Sequence, residues 1–182
     1  MSAEALIRPF EERYAAEVRD LFVTVNRLLA PPHMRQAFET YVDRSLAEEM
    51  GRVGAYYAER KGGFWVAVRE GKVAGMFGLE PASADALELR RMYVAPAARR
   101  IGLARAMLRF AEDESRRRGA ARLELSTSEL QPAALELYRR AGYRLVREIV
   151  AEEASNKTLG GGIRRYYFEK SMQEAASPVR AC

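Results

Sequence analysis

The spacing of apolar residues changes three times along the chain. Tyr14, Val18, Leu21, Phe22, Val25, Leu28 and Leu29 recur at three- and four-residue intervals, which predicts an amphipathic helix that Pro31 and Pro32 terminate. A second stripe, Phe38, Tyr41, Val42 and Leu46, predicts another helix within "MRQAFETYVDRSLAEEM". The pattern then turns β-like. Residues 64–69 and 72–80 read as two strands joined at Glu70-Gly71 in a hairpin, and "ALELRRMYVAP" reads as a third, stopped by Pro96. Helical spacing returns over 101–118, closed by Gly119. "RLELSTS" is a strand, and "PAALELYRRAG" is a short helix with Pro132 in its first turn and Gly142 just past its end. "YRLVREIV" and "RRYYFEKSM" are closing strands, "ALIRPF" is an opening one, and residues 173–182 read as a frayed tail.

This order, two helices and then strands interleaved with helices, predicts one mixed α/β domain over residues 1–172, with a sheet covered by helices. A chain of 182 residues with 48% apolar content can bury a core. No apolar run approaches the roughly 18 residues of a membrane span. The N-terminus "MSAEALIRPFEER" lacks a secretory h-region, and the expectation is a cytoplasmic protein.

The available chemistry is narrow. The one cysteine, Cys182, excludes a disulfide framework, and the one histidine, His33, reads as a loop or helix-start residue. Neither a metal-ligand cluster nor a Ser-His or Cys-His pair is present, so no metal is expected. Catalysis then falls to carboxylates, tyrosines or backbone groups. A net charge of +5 is compatible with an anionic ligand, RNA, DNA or none of these. Arg116, Arg117 and Arg118 read as a solvated helix end, and Arg109 and Asp113 as an i,i+4 pair.

The anion has a natural place. Arg99-Arg100-Ile101-Gly102-Leu103-Ala104-Arg105 follows a strand and enters a helix. A helix N-terminus presents unpartnered N–H groups and a partial positive charge, and small residues let a phosphate approach that backbone. Arg99, Arg100 and Arg105 can add charge-assisted contacts. The stretch matches neither the GxxxxGK[ST] phosphate loop nor the GxGxxG dinucleotide turn.

The succession "ELRRMYVAP", "RRIGLA", "STSELQPAALELYRRAGY" resembles the GNAT superfamily of N-acetyltransferases, and within it the small-molecule-type branch. The resemblance implies a central twisted, mostly antiparallel sheet of about six to seven strands flanked by about four helices. It implies acetyl-coenzyme A as acyl donor, with Arg99, Gly102 and Ala104 on the family's R/Q-x-x-G-x-G/A pyrophosphate motif. It implies a bulge near Met92-Tyr93-Val94, where the strand loses its alternation, and backbone contacts from these residues to the pantetheine arm. Tyr138 falls on the family's LY tyrosine, placed to protonate the departing thiolate; a purely packing role for its ring is the alternative. Gln131 is expected to hydrogen-bond the pantetheine arm or cap its helix. Arg100 replaces the glycine of the commoner RGxG form. Ser126 and Ser128 replace the glutamate and glycine of the branch's "LETG", so its substrate does not transfer by analogy.

The implied reaction is attack of a neutral primary amine of a small molecule or amino-acid-like substrate on the thioester, without an acyl-enzyme. Glu88 is the first choice as proton acceptor, ahead of Glu80 and Glu124. A surface or salt-bridged carboxylate is the alternative for each. Arg164 and Arg165, after "TLGGG", suit an acidic acceptor or simply solvent. Competing functions are a non-catalytic acyl-coenzyme A sensor, a protein N-acetyltransferase and a nucleic-acid module. Glu112, Asp113 and Glu114 oppose the last by repelling phosphates. Neither nucleic acid nor membrane is expected as a partner, and a homodimer is compatible with the family.

Overall fold

The computed structural model describes residues 5–173. Except for Gln173, the segment read as a tail lies outside them. In chain order the elements are β1 (Leu6–Pro9), α1 (Ala15–Leu29), α2 (Arg35–Ser45), α3 (Val53–Glu59), β2 (Gly63–Arg69), β3 (Lys72–Pro81), β4 (Ala86–Val94), α4 (Leu103–Arg117), β5 (Arg122–Ser128), α5 (Pro132–Arg140), β6 (Arg144–Ala151) and β7 (Ile163–Ser171). The strands form one sheet in the order β1-β2-β3-β4-β5-β7-β6. Neighbours pair antiparallel except β4 and β5, which α4 connects as a crossover.

The mostly antiparallel seven-stranded sheet agrees with the sequence reading. Five helices stand where about four were expected. The extra one, α3, spans two turns and carries Gly54, too little for a periodic signal, yet it buries Tyr56 and Tyr57. The helix read as starting at Ile101 begins at Leu103.

Two cores lie on opposite faces of the sheet. On one face α1, α2 and α3 bury Val18, Phe22, Val25, Val42 and Tyr57 against Phe64, Val66 and Met76. On the other, Leu103, Met107, Leu108 and Ala111 of α4 and Tyr138 of α5 pack on Phe77, Leu79, Leu89, Leu125 and Phe168. Residues alternating along β2 and β3 feed the two cores in turn, which is why these strands read as nearly continuous apolar runs.

Two irregularities shape the functional region. Between β3 and β4 the register passes from Met76↔Tyr93 to Gly78↔Arg90, so Arg91 and Met92 together face Phe77. This is a bulge, and Arg91 adopts a left-handed φ of 54°. Past it, β4 parts from β5. The parallel pairing ends at Leu89↔Leu125, while β5 stays paired to β7 as far as Ser128↔Arg165. The sheet therefore opens between β4 and β5 without losing its outer strands.

Gly78, next to the bulge, makes room for α3. A Cβ built there would sit 2.4 Å from Cζ of Tyr57. Gly78→Ala is expected to lower stability by about 1–3 kcal/mol through overpacking, read as a lower urea midpoint at constant slope.

Candidate functional site

Arg90 and Arg91 sit side by side in a central strand, and both are buried. In a regular strand they would point to opposite faces. The bulge turns both toward one carboxylate. Glu49 lies in a wide π-type turn, Leu46–Met50, that ends α2 with a bond from the Gly51 amide to the Leu46 carbonyl at 2.8 Å. Its side chain is 0% exposed. It accepts from Arg90 Nη2 at 2.8 Å, from Arg91 Nη2 and Nε at 2.7 and 3.1 Å, and from the Tyr57 hydroxyl at 2.8 Å.

The network spreads from there. Arg90 Nη1 donates to Glu80 at 2.6 Å, and Arg91 donates to the Tyr41 hydroxyl and the Asn156 carbonyl, each at 2.6 Å. Two carboxylates thus balance two guanidiniums. Burial raises the Glu49 pKa, but the charges of Arg91 and Arg90 outweigh it and hold the carboxyl below its ordinary value. Burial and the nearby Glu49 charge together push the Tyr57 hydroxyl well up.

Where β4 and β5 part, a cavity of about 100 Å³ opens. It runs through the sheet. On the α4–α5 side Tyr138, Thr127 and Gln131 line it, and on the other side Glu88, Lys157, Ser126, Arg165 and Tyr41 do. Lys157 arrives on the 152–162 segment and places its ammonium 2.6 Å from Glu88 and 3.6 Å from Glu80. Arg165 donates to the Ser126 hydroxyl at 2.6 Å. Tyr138 is buried, and among the described residues its hydroxyl has no hydrogen-bond partner. Burial, then the neighbouring Tyr93, raise its pKa well above the usual phenol, so it stays protonated at neutral pH.

The helix mouth lies where β4 leads. Arg100 and Gly102 take left-handed φ of 65° and 83°, and Gly102 caps α4. The first intrahelical bond runs from the Ala106 amide to the Gly102 carbonyl at 3.0 Å, which leaves the amides of Leu103, Ala104 and Arg105 without helical acceptors. A Cβ at Gly102 would meet nothing within 4 Å, so the space beside this cap is open. Arg99, Arg100 and Arg105 are exposed around it, and Ile101 is 51% exposed. Such a corner fits a diphosphate.

Comparison with known proteins agrees with this architecture. The model of the acetyltransferase (GNAT) family matches residues 22–143. The chain belongs to the GNAT family of acetyltransferases. It is 32% identical over 116 residues to human N-acetyltransferase 8, covering 60% of this chain and 51% of that protein. It is 33% identical over 118 residues to N-acetylaspartate synthetase of Danio rerio, covering 64% and 42%. The chain thus spans about half the length or less of these curated relatives. Among solved structures, yncA of Salmonella typhimurium, determined with its cofactor acetyl-CoA, superposes with a TM-score of 0.70 at 18% identity, covering 98% of this chain and all of that one. At that identity the likeness shows the fold.

Within the GNAT frame, the residues expected at the site fall in two places. Arg99, Arg100, Ile101, Gly102, Leu103, Ala104 and Arg105 form the helix mouth, with Leu103 buried into the core. Arg100 shows why glycine is common at its position: the backbone there is left-handed. Met92, Tyr93, Tyr138, Gln131 and Glu88 line the opening; Met92 and Val94 side chains also pack on the α4 core, and Tyr93 packs on Phe22 of α1. The bulge falls at Arg91-Met92, beginning one residue before the expected stretch and sharing Met92 with it. Gln131 occupies the N-cap position of α5, but its side chain caps nothing; it accepts from Thr127 at 2.6 Å. Of the three carboxylate candidates, Glu88 is the one on the cavity wall. Glu80 is committed to Arg90, and Glu124 lies 3.4 Å from Arg122. Asp113 pairs with Arg116 at 2.8 Å rather than with Arg109.

Glu49, Arg90 and Arg91 escaped the sequence reading. Their signal was present: two consecutive arginines in an apolar central strand need a buried anion. Among the described residues, no helix is long and apolar enough to cross a membrane.

Glu49→Gln would leave two buried guanidiniums short of one negative charge. The expected loss is about 3–5 kcal/mol in chemical denaturation. The carboxyl titrates lower in the folded protein than its ordinary value of 4.5, so its stabilisation is complete above that value. It disappears as pH falls through the lower folded value. The wild-type unfolding midpoint should therefore drop through this acid window more steeply than that of Glu49→Gln.

Proposed function

We propose that this protein transfers the acetyl group of acetyl-coenzyme A to the primary amine of a small, amino-acid-like molecule by direct attack. The observation that carries this reading is the opening between β4 and β5, which joins a protonated tyrosine on one face of the sheet to a carboxylate on the other. Acetyl-coenzyme A supplies an acetyl group activated as a thioester. The residues able to hold it are the amides of Leu103, Ala104 and Arg105 for the diphosphate, with Arg99, Arg100 and Arg105 around them. The edges of β4 and β5 freed by the splay suit the pantetheine arm, near Met92, Tyr93, Val94 and the Gln131 amide. The arm would lie between strands that no longer pair with each other, where backbone groups are available.

Two side chains handle protons. Glu88 takes the proton that the acceptor amine must lose before it attacks. Its present partner is itself an ammonium, that of Lys157, so the site already accommodates a protonated amine at this carboxylate. Tyr138 Oη holds a proton toward the departing sulfur. Its raised pKa keeps the proton on the phenol, which hydrogen-bonds the negative charge developing on sulfur. No nucleophilic side chain lies among the residues lining the cavity in a triad-like arrangement, in keeping with transfer in one displacement.

A thiol-release assay with acetyl-coenzyme A over a panel of primary amines tests the reading. Release with some amine is expected, with kcat about 100-fold lower in Tyr138→Phe and coenzyme affinity retained. Tight coenzyme binding without release on any amine would instead mark an acyl-coenzyme A sensor. Gly102→Glu places a side chain and a negative charge over the free amides and should abolish coenzyme binding in calorimetry while the protein stays folded. An unchanged affinity would remove the diphosphate from this corner.

A further inference from the structure

The cations lining the cavity are Arg90, Arg91, Lys157 and Arg165. Three are neutralised within the protein: Arg90 by Glu49 and Glu80, Arg91 by Glu49, and Lys157 by Glu88. Arg165 differs. Among the described residues no carboxylate lies within ion-pair distance of it, and the Ser126 hydroxyl engages one of its five N–H donors. It is half-buried on β7, and Ser126 holds its guanidinium over the side of the cavity that carries Glu88.

We propose that Arg165 is the specificity residue of the acceptor site and that the acceptor amine also bears a carboxylate, which Arg165 binds. This rests on the acetyl-transfer reading of the same cavity. The physical argument is one of charge and geometry. A half-buried guanidinium is only partly hydrated and has four donors left over. A carboxylate matches two of them in a planar, bidentate pair, which a neutral group or a second ammonium cannot do. Ser126 fixes the fork in advance, so little side-chain freedom is lost on binding. The two charged groups of such an acceptor then meet opposite charges: its amine faces Glu88, leaving Lys157 to Glu80 3.6 Å away, and its carboxylate faces Arg165. Register adds a supporting detail. Ser126 lies opposite Tyr167 and Ser128 opposite Arg165, so these four positions share the face of the sheet on which Glu88 and Arg90 meet Lys157 and Glu49.

The test uses the full chain and matched probes: α-, β- and γ-amino acids, their carboxamides, and the corresponding amines without the acid group. Thiol release is measured for each, and binding to the coenzyme A-saturated protein is measured by calorimetry. The best acid should exceed its carboxamide in kcat/KM by about tenfold or more, the difference lying in KM. In Arg165→Gln the acid-to-carboxamide ratio should fall toward one. Arg165→Lys should restore part of it, because charge is kept while the fork is lost. Coenzyme affinity serves as the folding control for both variants. Equal use of acids and carboxamides by the wild type would overturn the proposal, as would an Arg165→Gln defect of the same size on both. If no amine releases thiol, the transfer reading fails by itself. Calorimetry then decides this proposal separately, and binding of the acids no tighter than of the carboxamides overturns it.

Discussion

A single buried carboxylate organises the middle of this molecule. Glu49 holds Arg90 and Arg91, adjacent residues that a regular strand would send to opposite faces, and so requires the bulge that brings them together. The left-handed backbone at Arg91 costs on the order of 1–3 kcal/mol and persists because three partners, Glu49, Tyr41 and Asn156, over-determine its side chain. With the bulge in place, β4 bends away from β5, and the cavity follows from that divergence. The ionic network is therefore less a source of net stability than the device that sets the shape of the sheet.

A cavity that passes through a sheet has two chemically different mouths, and different elements supply them. One mouth belongs to α4 and α5, with open amides at Gly102–Arg105 and the protonated Tyr138. The other is built from β4, β5, β7, α2 and the 152–162 segment, and carries Glu88, Lys157, Ser126 and Arg165. In the proposed function, donor and acceptor enter from these opposite faces and meet at the gap. The arrangement also explains the crowding of charged residues in an otherwise apolar strand. Glu88 and Arg90 face the polar side, while Leu87 and Leu89 face the α4 core.

Arginines elsewhere behave differently. Arg116, Arg117 and Arg118, prominent in the sequence, pair with Asp113 and Glu114 at the end of their own helix, as a solvated terminus would. Arg165, inconspicuous beside Arg164, is the one aimed into the cavity, whereas Arg164 reaches Glu148. Sequence proximity does not separate the two. Strand alternation and the pairing with β5 do.

The linear chain determined a good deal by itself. The apolar period marked most helices and strands because each must bury one face. The motif from Arg99 to Ala104 marked the helix mouth, because only a few residue types leave backbone amides approachable. The places of Tyr138 on α5, Gln131 at its N-cap and Glu88 on β4 before the bulge were legible from the spacing around them. Tertiary structure decided the rest. It chose Glu88 over Glu80 and Glu124 as the carboxylate on the cavity wall, since that depends on which partner each acid finds across the sheet. It brought Glu49 to Arg90 and Arg91 across 41 and 42 residues, and α3 into being through burial of Tyr56 and Tyr57. Local spacing records what a segment needs to bury; which charge neutralises which is fixed only when distant segments are packed together.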